Sequence, residues 1–294
     1  MYGGVAAPSS AFLPSVRGRS LPFGPDRGAI YKSELHSHAS MVESQIRIVH
    51  ISDTHITKFG MHIPEALDKC IYLINTLDPP PDIVVHSGDL TDNGILLDYE
   101  MAVEKIKEIR YEVLVAPGNH DERNYGDSLF REMVGNMDYV TSVGRTAFVI
   151  LDSGIPDSDN GRLGRARQQR LRNAFENLPG KTFKVAVFHH HLIPIPYAGR
   201  ERDILEDAGD VLKAILDLKV DLVLMGHRHV RHAVKVGETL LVNAGTVSSA
   251  RTRGRLGNSF NIIDVTEDRQ VTVSEMKIPS GELHILGTFR VGTQ

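Results

Sequence analysis

The chain has 294 residues, of which 41% are hydrophobic and 24% are charged, and its formal net charge is −4. These values are typical of a globular protein with one large domain or two small ones. The negative charge gives no basic field that would favour a nucleic-acid polymer as partner. No apolar run approaches the roughly 20 residues of a membrane span. The single cysteine, Cys70, excludes an internal disulfide and fits a reducing compartment.

Residues 1–44 differ in composition from the rest of the chain. They are rich in Gly, Pro, Ser and Ala and have neither helical nor strand periodicity. We therefore expect a disordered or loosely packed extension, followed by a domain of residues 45–294. Arg17 and Arg19 are not accompanied by the apolar stretch of a secretory signal, so we expect a cytoplasmic protein. Met41 stands just before the first strand, so a start codon assigned too early explains residues 1–40 at least as well as a function of that segment does.

Apolar strands and amphipathic helices alternate along the domain. Strands are predicted at residues 46–51, 83–85, 111–116, 146–151, 184–188 and 221–225, and helices from Pro64, around Tyr99, and at residues 128–134 and 166–178. Asp203, with Glu206 three residues later, predicts a capping box at the start of the next helix. Short strands after Val234 predict a second, largely antiparallel sheet. This order indicates an α/β fold in which the carboxyl ends of parallel strands meet at one edge.

Polar motifs follow five of the apolar runs. They are Asp53-Thr54-His55, Gly88-Asp89, Gly118-Asn119-His120-Asp121, His189-His190-His191 and Gly226-His227-Arg228-His229. Each motif alone is compatible with an ordinary turn, a cap or a buried histidine. Carboxylate, amide and imidazole groups at the mouths of buried strands are costly to desolvate without a partner, however. Because all five would meet at one sheet edge, they predict a single site with two metal ions.

A pair of metal ions about 3.5–4 Å apart can bind the attacking and leaving oxygens of a phosphoryl displacement. Asp89 suits the carboxylate that bridges the two ions. Asp53 and His55 are separated by one residue, so in an extended segment both side chains point the same way, and the histidines of the last motif repeat this spacing. Asn119 offers a neutral oxygen ligand, and His120 is free to face the substrate.

The sequences of these motifs resemble the conserved motifs of the calcineurin-like metallophosphoesterase superfamily. The resemblance of the second motif extends over Gly88-Asp89-Leu90-Thr91-Asp92-Asn93-Gly94. Within it, the motifs are most similar to the class III cyclic-nucleotide phosphodiesterase branch. The resemblance spans about residues 46–247. It implies a four-layer α/β-β/α sandwich with a mixed sheet, and a metal-dependent phosphoester hydrolase.

The resemblance also implies the ligands of the two ions. One ion would be held by Asp53, His55, Asp89 and His229, and the other by Asp89, Asn119, His227 and one histidine of the run at 189–191. The family usually has His-His-Pro or His-x-Pro at this run, with the ligand two residues before the proline. This chain has Leu192-Ile193-Pro194 instead. Aligning Leu192 with that proline favours His190 as the ligand and leaves His189 as the competitor.

The expected reaction is hydrolysis of a small phosphodiester, a cyclic nucleotide or a similar molecule, by a hydroxide that bridges two metal ions. His120, held by Asp92 or Asp121, would stabilise or protonate the leaving oxygen, and Asn119 and His120 would contact the substrate. Ligation by nitrogen and oxygen without thiolate suits Mn, Fe, Zn or Co. The alternatives are a phosphomonoesterase or protein phosphatase with the same centre, and a non-catalytic metal-binding scaffold. A homodimer also stays open.

Two further segments are expected near the mouth of this site. Pro194, Pro196 and other turn residues at 194–199 predict a rigid loop that encloses the mouth and favours a small substrate over a protein. The arginines at 251, 253 and 255 are candidates for contact with a substrate phosphate. A solvated basic loop is the better explanation of that cluster.

Overall fold

The computed structural model describes residues 44–292, so the expected N-terminal extension lies outside the described residues except for Ser44. The elements are, in chain order, β1 Ser44–Ile51, α1 Pro64–Asn75, β2 Ile83–His86, α2 Leu96–Lys107, β3 Val113–Val115, α3 Gly126–Met133, β4 Tyr139–Val143, β5 Thr146–Ile150, α4 Gly164–Glu176, β6 Phe183–Val187, α5 Ala208–Asp217, β7 Leu222–Met225, β8 His232–Val236, β9 Thr239–Asn243, β10 Ser259–Thr266, β11 Gln270–Lys277 and β12 Leu283–Arg290. A short 3-10 turn, Arg123–Tyr125, precedes α3. Among the described helices, none has the length and apolar character needed to cross a membrane.

The strands form two mixed sheets. The first has the order β12-β11-β10-β1-β2-β3, in which β1, β2 and β3 are parallel and the other three strands pair antiparallel. The second has the order β4-β5-β6-β7-β9-β8, with parallel pairing from β5 to β9 and antiparallel strands at both edges. The carboxyl ends of β1, β2 and β3 therefore share one edge of the first sheet, and those of β5, β6 and β7 share one edge of the second.

Three apolar clusters separate four layers. The first cluster lies between the sheets and contains residues such as Ile48 of β1 and Val185 of β6. The second joins the first sheet to α1, α2 and α3, and the third joins the second sheet to α4 and α5. Within β1, Ile46 and Ile48 belong to the first cluster, whereas Val49 and Ile51 belong to the second. A strand with two buried faces is apolar throughout, as the sequence pattern showed.

The predicted four-layer α/β-β/α sandwich is confirmed. The strands after Val234 pair largely antiparallel, as predicted, but β10, β11 and β12 extend the first sheet and do not form a sheet of their own. The reason is that β10 is apolar on both faces, and it pairs with β1 with Ile48 opposite Ile263. The strand β4 was not predicted. Its side chains are half-buried or exposed, as expected for an edge strand with little apolar periodicity.

The predicted start of the helix before β7 was wrong. α5 begins at Ala208, and Asp203 has a left-handed backbone with φ of 61°. The carboxylate of Asp207 accepts hydrogen bonds from the backbone N–H groups of Leu163 and Gly164, at 3.1 and 2.8 Å. It thus satisfies the first amides of α4, a tertiary role that a local capping pattern does not reveal.

Candidate metal centre

The loops after β1, β2 and β7 present their polar side chains from a left-handed backbone. Positive φ values occur at Asp53, His55, Asp89, His227 and His229. The pairs at 53/55 and 227/229 are therefore not extended, which differs from the expectation. A non-glycine residue in this conformation costs about 1–3 kcal/mol, so the surroundings must impose it. The loops do so by bonding to each other, since the N–H of His55 donates to the carbonyl of Asp89 at 3.0 Å.

Two glycines allow these loops to approach closely. Gly88 has φ of 106°, and a Cβ atom there would lie 2.6 Å from Nδ1 of His189. A Cβ atom on Gly118 would lie 2.2 Å from the backbone nitrogen of Asp89. Any side chain at either position would separate the loops after β2, β3 and β6. Gly88 and Gly118 therefore allow the loops that carry the candidate ligands to pack against each other.

Candidate ligand atoms converge in three overlapping groups. They are Asp53 with His55 and His229, His55 with Asp89 and His120, and Asp53 with Asp89 and His189; within each group the ligand atoms lie within 4.8 Å of one another. Asp53, His55 and Asp89 each belong to two groups, so the three groups form one continuous cluster. Asn119 and His227 meet beside them, with Oδ1 of the amide 3.1 Å from Nδ1 of the imidazole.

The spacing of these donors fits metal ligation. Adjacent ligands of one ion, with bonds near 2.1 Å at about a right angle, lie about 3 Å apart. The distance from His55 Nε2 to His229 Nε2 is 2.9 Å, and that from His189 Nε2 to Asp89 Oδ2 is 3.2 Å. His189 Nε2 is also buried without a hydrogen-bond partner. A buried imidazole nitrogen beside two carboxylates is a suitable ligand atom for a metal cation.

The opposite nitrogen of three of these rings faces an oxygen acceptor. His55 Nδ1 faces Asp92 Oδ1 at 3.1 Å, His189 Nδ1 faces the Ser87 carbonyl at 2.8 Å, and His229 Nδ1 faces the Arg251 carbonyl at 2.6 Å. With the proton on Nδ1, each ring directs the lone pair of Nε2 into the centre. This arrangement is the one that imidazole ligands adopt around a metal ion.

The sequence analysis favoured His190 as the ligand of the histidine run, and the geometry does not support that preference. His190 Nδ1 lies 2.9 Å from Ser153 Oγ and its Nε2 lies 3.2 Å from the Asp159 carbonyl. Its ring also packs on Gly161, where a Cβ atom would lie 2.3 Å away. His189 instead enters the space left open by Gly88. The direction in which the chain leaves β6, and not the distance to Pro194, decides which ring faces the carboxylates.

The carboxylates of the centre stay ionised. Burial alone would raise the pKa of Asp89, but His189 and His120 beside it hold that pKa well below its usual range. Burial likewise opposes the charge on His189, yet Asp89 and Asp53 raise its pKa to about 9. The buried anions thus attract positive charge strongly. A metal cation would supply that charge without a proton.

Of the two carboxylates proposed to hold His120, Asp92 is the one in contact. His120 Nδ1 lies 2.7 Å from the Asp92 carbonyl and 3.2 Å from its Oδ1. Asp121 instead accepts backbone N–H bonds from the preceding loop and its own turn, at Leu90, Thr91 and Gly118. Asp121 therefore fixes the loops, and Asp92 contacts both His120 and His55.

The centre forms the floor of a pocket of about 410 Å³. Sequence reasoning missed four residues of its walls, namely Arg123, Asp159, Asp203 and Thr252. Asp159 Oδ1 accepts bonds from Arg123 Nη2 at 2.6 Å and from Asn119 Nδ2 at 3.3 Å. The position of Arg123 three residues after His120 was a weak signal. Asp159 had none, because it belongs to a polar loop without periodicity.

The loop expected to enclose the mouth is anchored by the buried guanidinium of Arg228. Its Nη1 donates to the Arg202 carbonyl at 3.1 Å, and its Nη2 donates to the carbonyls of Ala198 and Arg200 at 3.1 and 3.0 Å. Arg228 stands between the two histidines of the last motif. The same arginine therefore connects this loop to the metal centre.

Three comparisons with known proteins agree with this description. Over 155 residues the chain is 34% identical to a probable glycerophosphodiester phosphodiesterase GpdQ of Arcobacter nitrofigilis, covering 49% of this chain and 56% of the relative. Over 168 residues it is 27% identical to the 3′,5′-cyclic adenosine monophosphate phosphodiesterase CpdA of Pseudomonas aeruginosa, covering 54% and 60%. The chain thus spans little more than half the length of these curated relatives.

The fold is also similar to that of a solved phosphatase. The purple acid phosphatase PPD1 from yellow lupin seeds superposes with a TM-score of 0.67 at 15% identity, over 84% of this chain and 54% of that one. A family model described as calcineurin-like phosphoesterase matches residues 46–231. Because this match covers more than half of the chain and includes all five motifs, the protein belongs to the calcineurin-like phosphoesterase family.

Proposed function

We propose that the protein is a phosphodiesterase that hydrolyses a small diester, such as a cyclic nucleotide. The observation that carries this proposal is the pocket of about 410 Å³ directly above the cluster of ligand atoms. Its volume is in the range of small-molecule sites, which is about 300–1,000 Å³. The two curated relatives, named as a probable glycerophosphodiester phosphodiesterase and a cyclic AMP phosphodiesterase, support the same choice.

The residues that would hold the two metal ions are Asp53, His55, Asp89, His229, Asn119, His227 and His189. When bound, the ions would supply Lewis acidity towards the phosphate and towards the attacking water. The Asn119 amide and the walls of the pocket would orient the ester above these groups. Nitrogen and oxygen donors without thiolate leave Mn, Fe, Zn and Co as candidates.

His120 is the group that we assign to the leaving oxygen. Burial opposes a charge on this ring, but Asp89 and Asp92 raise its pKa above the ordinary value. Its Nδ1 lies 2.7 Å from the Asp92 carbonyl and 2.8 Å from Arg123 Nη1, so Nε2 is the nitrogen left to face the departing alcohol. Asp92 orients the ring and stabilises its charged form, because Asp92 remains ionised beside two histidines.

A substrate panel on metal-reconstituted protein tests this proposal. We expect hydrolysis of 3′,5′-cyclic AMP and bis(p-nitrophenyl) phosphate at higher kcat/KM than p-nitrophenyl phosphate. Faster hydrolysis of the monoester would identify a phosphomonoesterase, the main alternative. The loop at 194–199, which was expected to lie over the mouth, contributes no residue to the lining of this pocket, so it does not argue against a protein substrate.

Removal of the metal ions tests the mechanism independently. Dialysis against a chelator should abolish hydrolysis, and added Mn²⁺ should restore it. Activity that survives in metal-free protein would rule out the mechanism. Binding of two ions per chain without turnover of any ester would instead indicate a non-catalytic scaffold.

A further inference from the structure

Two arginines at the mouth of the pocket, Arg251 and Arg253, form no ion pair among residues 44–292. We define the outer wall as the lining residues above the centre: Arg123, Asp159, Asp203, Arg228, Arg251, Thr252 and Arg253. Asp159 pairs with Arg123 at 2.6 Å, and Asp203 Oδ2 lies 3.7 Å from Arg228 Nη1. The outer wall therefore carries an excess of two positive charges.

These two arginines belong to a short loop fixed beside the metal centre. The Arg251 carbonyl accepts the bond from His229 Nδ1, so its backbone lies next to a candidate ligand, while its side chain is exposed. In the described part of the chain, the Arg251 guanidinium makes no hydrogen bond. Arg253 donates one bond, from Nη1 to the Ala198 carbonyl at 3.1 Å. Because a guanidinium has five N–H donors, both side chains retain unused ones.

An anion at this position would relieve an electrostatic cost. Burial and the neighbouring Arg228 lower the pKa of Arg253, and nearby carboxylates, Asp203 first among them, only partly offset this. Guanidinium groups bind phosphate through parallel, charge-assisted hydrogen bonds. In the proposed function, the phosphate that is cleaved lies at the metal centre on the floor of the pocket. The outer wall must then contact the remainder of the substrate, and its charge matches a dianionic group.

We propose that the substrate carries a terminal phosphate, separate from the diester that is cleaved, and that Arg251 and Arg253 bind it. This inference rests on the proposed phosphodiesterase function and narrows its preferred substrates from small diesters in general, unsubstituted cyclic AMP included, to those with an additional phosphomonoester. Arg255, the third arginine of the predicted cluster, is outside the pocket lining and provides a matched control on the same loop.

The experiment compares two esters that differ only in that phosphate. They are the p-nitrophenyl ester of thymidine 5′-phosphate and the same ester with a 3′-phosphate, and p-nitrophenol release reports diester cleavage in both. We expect kcat/KM to be about tenfold higher for the 3′-phosphorylated ester, the factor given by one charge-assisted hydrogen bond at the weak end of its range. Arg251→Gln should bring the ratio close to one, and Arg251→Lys should retain part of it. Arg255→Gln should keep the wild-type ratio.

Two results would overturn the inference while leaving the proposed function intact. One is a wild-type ratio near one with both esters hydrolysed. The other is an Arg251→Gln variant that lowers both substrates alike, because that arginine would then act on the phosphate that is cleaved. Absence of p-nitrophenol from both esters with metal-loaded protein would count against the phosphodiesterase itself. Arg251 is exposed, so loss of folding should not obscure the comparison, and a thermal midpoint for each variant checks this.

Discussion

Asn119 donates a hydrogen bond from Nδ2 to Oδ1 of Asp159, at 3.3 Å. The bond turns the carbonyl oxygen of the amide towards His227, whose Nδ1 is 3.1 Å away. Asp159 thus determines which atom of Asn119 faces the metal centre. Groups that orient a ligand in this way commonly contribute 10- to 100-fold, roughly, to metal affinity or activity.

Asp159→Ala should therefore weaken binding of one of the two ions and lower turnover, each by about 10- to 100-fold. Asp159→Asn keeps a carbonyl acceptor and should recover most of the loss. Calorimetric metal titration and kcat for each variant provide the measurement. The control is Asp127→Ala, which removes an ion pair with Arg131 on α3. Wild-type metal affinity in Asp159→Ala would show that Asn119 is oriented without this bond.

The choice between His189 and His190 can be decided by metal content. His189→Ala removes the nitrogen next to Asp89 and should leave about one tightly bound ion per chain. His190→Ala should retain two, because both nitrogens of that ring contact Ser153 and the Asp159 carbonyl. Elemental analysis of folded protein, checked by circular dichroism, measures this. The reverse pattern would restore His190 as the ligand.

His120→Ala should lower kcat by about 10²- to 10⁴-fold, the usual contribution of a general acid. Metal content should stay near two per chain, because the ring contacts Asp92 and lines the pocket without completing either proposed ligand set. Measuring kcat and metal content together distinguishes a general acid from a metal ligand. Loss of an ion in this variant would mean that His120 is a ligand.

Glu122 gives the stability a pH dependence. Burial and the adjacent Asp152 raise its pKa from 4.5 to about 10. Between pH 4.5 and 10 the folded protein keeps a proton on Glu122 that the unfolded chain has lost. The free energy of unfolding is therefore highest below pH 4.5 and falls as the pH rises towards 10. The loss for one proton is at most ~1.4 kcal/mol per pH unit.

Glu122→Gln stays neutral and has nearly the same shape, which suits a side chain packed against Gly154. We expect the variant to be more stable than the wild type above pH 8, with the difference shrinking as the pH falls. Urea unfolding at several pH values, at equal metal loading, measures this. Parallel pH profiles for the two proteins would show that Glu122 is ionised in the folded state.

Local apolar periodicity was enough to predict most strands and helices, and with them the α/β sandwich. A strand such as β1 has two buried faces, so its sequence is apolar whatever its partners are. The five motifs could be found in the same way, because each follows such a strand directly. The sequence by itself therefore indicated that these polar groups meet at one place, although they follow strands of two sheets and not of the one sheet expected from the strand order alone.

Only the tertiary structure decided which side chain of each motif turns inward. His189 faces Asp89 because Gly88 leaves room for its ring, and His190 packs on Gly161. Asp92, and not Asp121, contacts His120 because Asp121 is occupied by backbone amides from another loop. These choices depend on left-handed turns and on contacts between distant loops. Such features have no periodic signature along the chain.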